Sequence, residues 1–257
     1  MSVSIPTSDL VQAYTREVTS RIQELSRQAV SGSLDEAIEL LKAAIDKGGV
    51  IQAFGTGHSE AFAMEIAGRA GGLIPTNRIA LRDVVLRGSY DVGALTGSSL
   101  ERNPSVVNEL FAVSPVGPED VFVIASNSGV NGSIVGLALL AKAKGHKVIA
   151  VTSMAHTLEV EPKHPSGKRL CDVADVVIDN TAPFGDAVLE MAAGIAVGAV
   201  SSITAAFIAQ LLTIGTANRI AEEGKKPPVY ISANIPGGDD HNHALEDLYK
   251  SRIRRDA

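Results

Sequence analysis

The strongest constraint on this chain is a repeated join, in which a short apolar run passes into a glycine- and serine-rich turn and the turn into helix-compatible sequence. Residues 50–54 lead into Gly55-Thr56-Gly57-His58-Ser59, and residues 121–125 lead into Ser126-Asn127-Ser128-Gly129-Val130-Asn131-Gly132-Ser133. Short continuous apolar runs bounded by turn residues read as strands buried on both faces. Similar runs at 147–152 and 173–178, and a shorter one at 77–81, alternate with helical sequence at 59–70 and 134–144. Strands alternating with helices call for right-handed crossovers and a parallel sheet covered on both faces.

The flanks are helical or irregular. Leu10, Val11, Tyr14, Val18, Ile22, Leu25 and Ala29 recur at threes and fours, which predicts a helix over 8–30 capped by Thr7 or Ser8. Gly32-Ser33 interrupts it, and Ser33 with Glu36 has the capping-box spacing for a second helix to about residue 46. The expected organisation is an N-terminal helical arm over 1–47 and an α/β domain over 48–257 that ends in an irregular extension. Residues 82–116 form a long connection, with a helix predicted from Pro104 to 112, and read as a lid, a binding loop or a surface insertion. From Gly185 onward the pattern is helical, with possible breaks at Gly194, Gly198 and Gly215. Residues 191–218 contain no charged residue, but Ser201, Ser202, Thr204, Gln210 and Thr213 favour a helix buried in protein over a membrane span.

Composition narrows the partners. A net charge of −6 provides no general attraction for nucleic acid. Cys171 is the only cysteine, so an intrachain disulfide and a C-x-x-C metal or redox motif are excluded, which fits a reducing cytoplasm. The first 14 residues lack the basic start and apolar core of a signal peptide, and no membrane association is expected.

In an open parallel sheet, ligands bind beyond the carboxyl ends of the strands, where strand order reverses. Both turns lie at such ends. Gly55 and Gly57 permit a sharp backbone turn, and Gly57, His58, Ser59, Ser126, Asn127, Ser128 and Asn131 offer neutral donors beside helix starts. These seven residues are the candidate phosphate ligands, and the set needs neither metal nor cofactor.

The run from Ser126 to Asn131 resembles the Ser-x-Ser-Gly-x-Thr/Ser pattern of the SIS family, the sugar isomerase domains of phosphosugar isomerases and related regulators, with Asn131 in place of the last hydroxyl residue. The run from Gly55 to Ser59 resembles the family's first glycine-serine turn, and the order of elements is similar over 35–220. The resemblance is best to bacterial SIS proteins of undefined substrate. It implies a three-layer α/β sandwich with a five-stranded parallel sheet of flavodoxin-like order, a phosphorylated sugar as ligand, and a homo-oligomer, dimer or tetramer, with residues 191–218 facing the partner.

Aldose–ketose isomerisation needs a base to move a proton between adjacent carbons and a second group for ring opening and the oxygen protons. Glu65-Ile66-Ala67-Gly68-Arg69 resembles the Glu-Leu-x-Gly-Arg segment that carries the catalytic glutamate in sedoheptulose-7-phosphate isomerases of the family. Glu65 stands four residues nearer its serine turn, a shift of about 6 Å along a helix, and a Glu65–Arg69 pair at i, i+4 is the structural alternative. His241, after the turn expected at Pro236-Gly237-Gly238, is the candidate for ring opening. His241 and His243 with Asp239 or Asp240, and His58 as a remote ligand, form an alternative metal set. Asp83, Asp186 and Glu60 are weaker polar candidates, and His146, His156 and His164 read as loop residues. Three functions are thus distinguished: an isomerase using Glu65 and His241, a non-catalytic phosphosugar-sensing module, and a metal-dependent hydrolase or lyase at the histidine-rich tail.

Overall fold

In the computed structural model the apolar runs pair into a single parallel sheet. The structure describes residues 6–192 and 194–254; the first five residues of the expected arm, residue 193 in the charge-free stretch and the last three of the extension lie outside the described residues. The strands are β1 (Ile51–Gly55), β2 (Thr76–Ile79), β3 (Val121–Ala125), β4 (Lys147–Thr152) and β5 (Val176–Asp179), in the order β2-β1-β3-β4-β5. Every neighbouring pair is parallel. This is the flavodoxin-like order, and strand order reverses between β1 and β3.

In chain order the helices are α1 (Thr7–Val30), α2 (Asp35–Asp46), α3 (Glu60–Ile66), α4 (Asp83–Leu86), α5 (Ser99–Arg102), α6 (Val106–Val113), α7 (Gly132–Ala143), α8 (Met154–Thr157), α9 (Ser201–Glu222) and α10 (Gly238–Glu246). An antiparallel hairpin of β6 (Ala187–Ala192) and β7 (Ile195–Ala199) precedes α9. Alternate residues of each strand face opposite ways, so the sheet feeds two cores. On one face Leu25, Leu41, Phe62, Ile66, Ile208 and Leu212, from α1, α2, α3 and α9, meet Ile51, Ala53, Val121, Val123 and Val151. On the other, Val84, Leu100, Leu110, Ile134 and Leu137, from α4 to α7, meet Phe54, Phe122, Ile124 and Val148. The result is the expected three-layer sandwich.

Several local expectations are corrected. Ser33 does not cap α2, whose N-cap is Leu34 without a side-chain bond, and Pro6 rather than Thr7 or Ser8 stands at the N-cap of α1. The link is too short for a separate cap, because Gly32 at φ +91° and Ser33, whose N–H reaches the Gln28 carbonyl at 3.1 Å, are spent closing α1. The helix expected over 59–70 is a 3-10 turn (Gly57–Ser59) followed by α3, which stops at Ile66. Beyond it the backbone pairs with the C-terminal extension: Gly71 N–H with the Tyr230 carbonyl, Tyr230 N–H with Gly72 and Ile74 N–H with Pro228, at 2.8–2.9 Å.

Residues 187–199 form a hairpin rather than the start of a long helix, and Gly194 and Gly198 adopt the left-handed conformation, with φ +76° and +79°. The hairpin is held by α1, since the Tyr14 hydroxyl donates to the Ala199 carbonyl at 2.6 Å and the Tyr14 ring lies where a side chain on Gly198 would stand. Among the described residues α9 is the one helix long and apolar enough to cross a membrane; here Thr204, Ile208, Ala209, Leu212 and Thr216 are buried in the sandwich. Pro236-Gly237-Gly238 turns directly into α10, so His241 and His243 lie on a helix rather than in a turn. His146 is no loop residue either: it is buried, 5.3 Å from the Phe122 ring, with Nδ1 at 3.0 Å from the Asp120 carbonyl oxygen. Residues 82–116 are not a surface insertion, because Val84, Leu100, Val106 and Leu110 build the second core.

Candidate functional site

A cleft of about 390 Å³ opens at the carboxyl ends of β1 and β3. Its wall takes Thr56, Gly57, His58 and Ser59 from the first turn and Ser126, Asn127, Ser128 and Asn131 from the second. Glu101 of α5, His156 of α8, Asp186, and Ala199, Ser201 and Ser202 at the entry to α9 complete it. The structure therefore brings all seven residues read as phosphate ligands to one place.

Backbone geometry explains the turn sequences. A Cβ on Gly55 would lie 2.1 Å from the Ser59 carbonyl oxygen, so the chain folds back here only without a side chain. Gly57 has open space around it but a φ of +56°, which favours glycine for conformational reasons. In the second turn Gly129 has φ +64°, and its N–H donates to Ser126 Oγ at 3.1 Å. Asn127 Oδ1 accepts from Asn180 Nδ2 at 3.1 Å. Asn131 is the N-cap of the 12-residue helix α7, and the 22-residue helix α9 starts at Ser201, so two long helices present their N-terminal ends to the cleft. Those ends carry partial positive charge and unpaired N–H groups, which favour an anion. No Lys or Arg is among the described residues that line the cleft, so hydroxyls, amides and helix ends supply the attraction.

The ionisable groups in the wall are held differently. Asp186 caps α9: Oδ1 accepts from the N–H groups of Val200 and Ser201 at 3.1 and 2.8 Å, and Oδ2 from the Ser201 hydroxyl at 2.7 Å. Glu101 Oε1 accepts from Thr56 Oγ1 at 2.9 Å and from Asn131 Nδ2 at 2.7 Å, joining the two turns. His156 Nδ1 accepts from Gly185 N–H at 3.0 Å, so the neutral ring carries its proton on Nε2. That ring stacks on Phe184, with centroids 5.1 Å apart. His58 is exposed on the first turn.

Glu65 and His241 are not brought to this cleft. The Glu65 carboxylate forms the i, i+4 ion pair with Arg69 and accepts from Gln210 Nε2 at 2.6 Å on α9. His241 Nε2 lies 3.0 Å from the Val229 carbonyl oxygen, and the neighbouring Asn242 side chain pairs with both backbone groups of Ile231. His58 is thereby separated from the histidines of α10, and among the described residues no group of three or more His, Cys, Asp or Glu is placed to hold a metal ion. Sequence reasoning missed Glu101, His156, Ser201 and Ser202 as wall residues and ranked Asp186 low. One signal pointed to His156: it follows the strand β4, and Ser153, as N-cap of α8, accepts its N–H at 3.0 Å. Nothing local marks Glu101.

The profile of the SIS domain family matches residues 13–153. A UPF0309 protein of Geobacillus sp. (strain WCH70) is 36% identical over 245 residues, covering 95% of this chain and 97% of its own length. Another, from Caldanaerobacter subterraneus subsp. tengcongensis, is 34% identical over 248 residues, covering 95% and 99%. Among solved structures, a phosphoheptose isomerase from Francisella tularensis superposes with a TM-score of 0.56 at 15% identity, over 83% of this chain and 100% of that one. The phosphoheptose isomerase of Neisseria gonorrhoeae gives 0.51 at 20% identity, over 84% and 100%. The protein c3406 of E. coli CFT073, in complex with a phosphosugar, gives 0.51 at 16% identity, over 84% and 94%. These three share the fold. With its profile matched over more than half of the 257 residues and relatives above 30% identity along nearly the full length, the chain belongs to the SIS domain family.

Proposed function

We propose that the cleft binds a phosphorylated sugar and that the protein is an aldose–ketose phosphosugar isomerase. The observation that carries this reading is the convergence of two serine-rich turns and the N-terminal ends of α7 and α9 on one cleft. The names of the similar structures, two phosphoheptose isomerases and a phosphosugar complex, support it. Ser59, Ser126, Ser128 and the turn N–H groups hold the phosphate, and the sugar carbons extend toward Glu101 and the two imidazoles. Neutral donors backed by helix ends suit a phosphate held without a metal or cofactor. The reading no longer draws on Glu65 or His241, whose hydrogen bonds lie outside the wall.

The same proposal includes a homo-oligomer. Met191, Ile195 and Val197 of the hairpin and Ile203 of α9 are 39–64% exposed, beside the Ala199–Ser202 wall of the cleft, and a second copy covering them would bury apolar surface at the rim of the site.

The test is incubation of the purified protein with a panel of pentose, hexose, N-acetylhexosamine and heptose aldose phosphates, followed by phosphorus and proton NMR. Conversion of at least one to its ketose is the expected result. Binding without conversion would favour the sensing module, and neither binding nor conversion across the panel would overturn the proposal.

A further inference from the structure

We infer that Glu101 is the catalytic base that carries the proton between the two reacting carbons, an assignment that rests on the isomerase reading above. Among the described residues that line the cleft, the carboxylates are Glu101 and Asp186. Asp186 has both oxygens committed to the start of α9. Glu101 receives both of its hydrogen bonds on Oε1, so among the described residues Oε2 accepts none and its lone pairs are free for a C–H proton. The imidazoles compare poorly: His156 has its unprotonated nitrogen on Gly185 N–H, and His58 is exposed with no hydrogen bond among the described residues to orient it.

The chain also builds a seat for this carboxylate. Leu100, its neighbour on α5, is buried in the second core. The Ser133 hydroxyl donates to the Glu101 carbonyl oxygen at 2.9 Å, and Gly132 packs so closely that a Cβ there would lie 2.2 Å from the Arg102 carbonyl oxygen. A four-residue helix is thus clamped onto the first turn of α7, with the Glu101 carboxylate tied to Thr56 of one turn and Asn131 of the other. Such restraint gives the pre-organisation that proton transfer from carbon requires.

With the open-chain aldose phosphate in place, Oε2 takes the proton from C2. The C2–H electron pair becomes the C1=C2 bond as the carbonyl π pair moves to O1, which gives the enediolate. O1 gains a proton and O2 loses its own. Glu101 then returns its proton to C1 as the C2 carbonyl forms. The net change is one proton from C2 to C1 and one from O2 to O1, so no oxidant or reductant is consumed.

Glu101→Gln keeps an oxygen that accepts from Thr56 and Asn131 but removes the base. In deuterium oxide, the exchange of the C2 proton is followed by NMR for whichever aldose phosphate of the panel the native protein converts, alongside calorimetric binding of the same sugar phosphate. The expected result is loss of exchange and isomerisation by about 10² to 10⁴-fold, the range for removal of a general base, with binding retained. Glu101→Asp, which withdraws the carboxylate by one methylene, gives the same pattern in milder form and serves if the first variant does not fold. Exchange at the native rate in Glu101→Gln overturns the assignment while leaving the isomerase reading intact. Equal loss of binding and exchange overturns it too, leaving Glu101 as a structural tie. A native protein that binds sugar phosphates but exchanges no carbon-bound proton defeats the isomerase reading and the assignment together.

Discussion

At the scale of single residues, the glycines of the site answer different physical demands. Gly57 is required by its φ of +56°, whereas Gly55 and Gly132 are required by contact, with carbonyl oxygens 2.1 and 2.2 Å from where a Cβ would stand. Gly132 has the wider consequence, because the carbonyl it meets belongs to Arg102, next to Glu101. Gly132→Ala must push α5 away from α7. We expect a stability loss of about 1–3 kcal/mol from overpacking, read by urea unfolding, and a fall in turnover larger than the fall in phosphosugar affinity. Turnover equal to that of the native chain would show that the position of α5 does not govern the reaction.

At the scale of elements, one carboxylate ties three of them together. Asp175, just before β5, accepts from Lys142 Nζ on α7 at 2.6 Å, from Lys147 Nζ at 2.9 Å and from Val148 N–H of β4 at 2.9 Å. Burial pushes its pKa up, but the hydrogen bonds from Lys142, Val148 N–H and Lys147 outweigh burial and hold the carboxyl below the usual aspartate range. A carboxylate depressed in the folded state stabilises the protein above its unfolded pKa of about 3.9, and that contribution is lost as pH falls through the lower folded value. Asp175→Asn is therefore expected to cost about 1.5–3 kcal/mol at pH 7, the range for hydrogen bonds to a charged group. The gap to the native protein should narrow as pH falls from about 5 toward 3. A gap independent of pH, in denaturant unfolding at several pH values, would show that charge plays no part.

The largest scale concerns the side of the molecule that carries the hairpin. Ile195 is 64% exposed and Ile203 39%, and both lie on elements that reach the cleft wall. An Ile195→Asp variant is expected to sediment as a smaller species than the native protein and to lose turnover, with its own thermal stability little changed. Native protein that sediments as a monomer would show that one chain completes the site.

The sandwich was legible in the sequence to different depths in different places, and the divide follows locality. Strand β3 coincides with the expected run 121–125 and β4 with 147–152, because strands buried on both faces are continuous apolar runs whatever surrounds them. The two turns were readable for a similar reason, since glycine conformation and the hydroxyls beside it are short-range properties. The sequence by itself therefore determined the parallel sheet, its order through the family pattern, and the seven residues of the two turns. Tertiary structure decided the rest. Small apolar residues suit a strand as well as a helix, so only the contact of Tyr14 with Gly198 and Ala199, 185 residues away in the latter case, made 187–199 a hairpin. Pairing of Gly71, Gly72 and Ile74 with residues 228–230 took over the backbone after α3, leaving Glu65 to Arg69 and Gln210. Glu101 reached the cleft because α5 docks on α7, where its carboxylate meets Thr56 and Asn131 across 45 and 30 residues of chain. No local pattern encodes a hydrogen bond of that span; packing does.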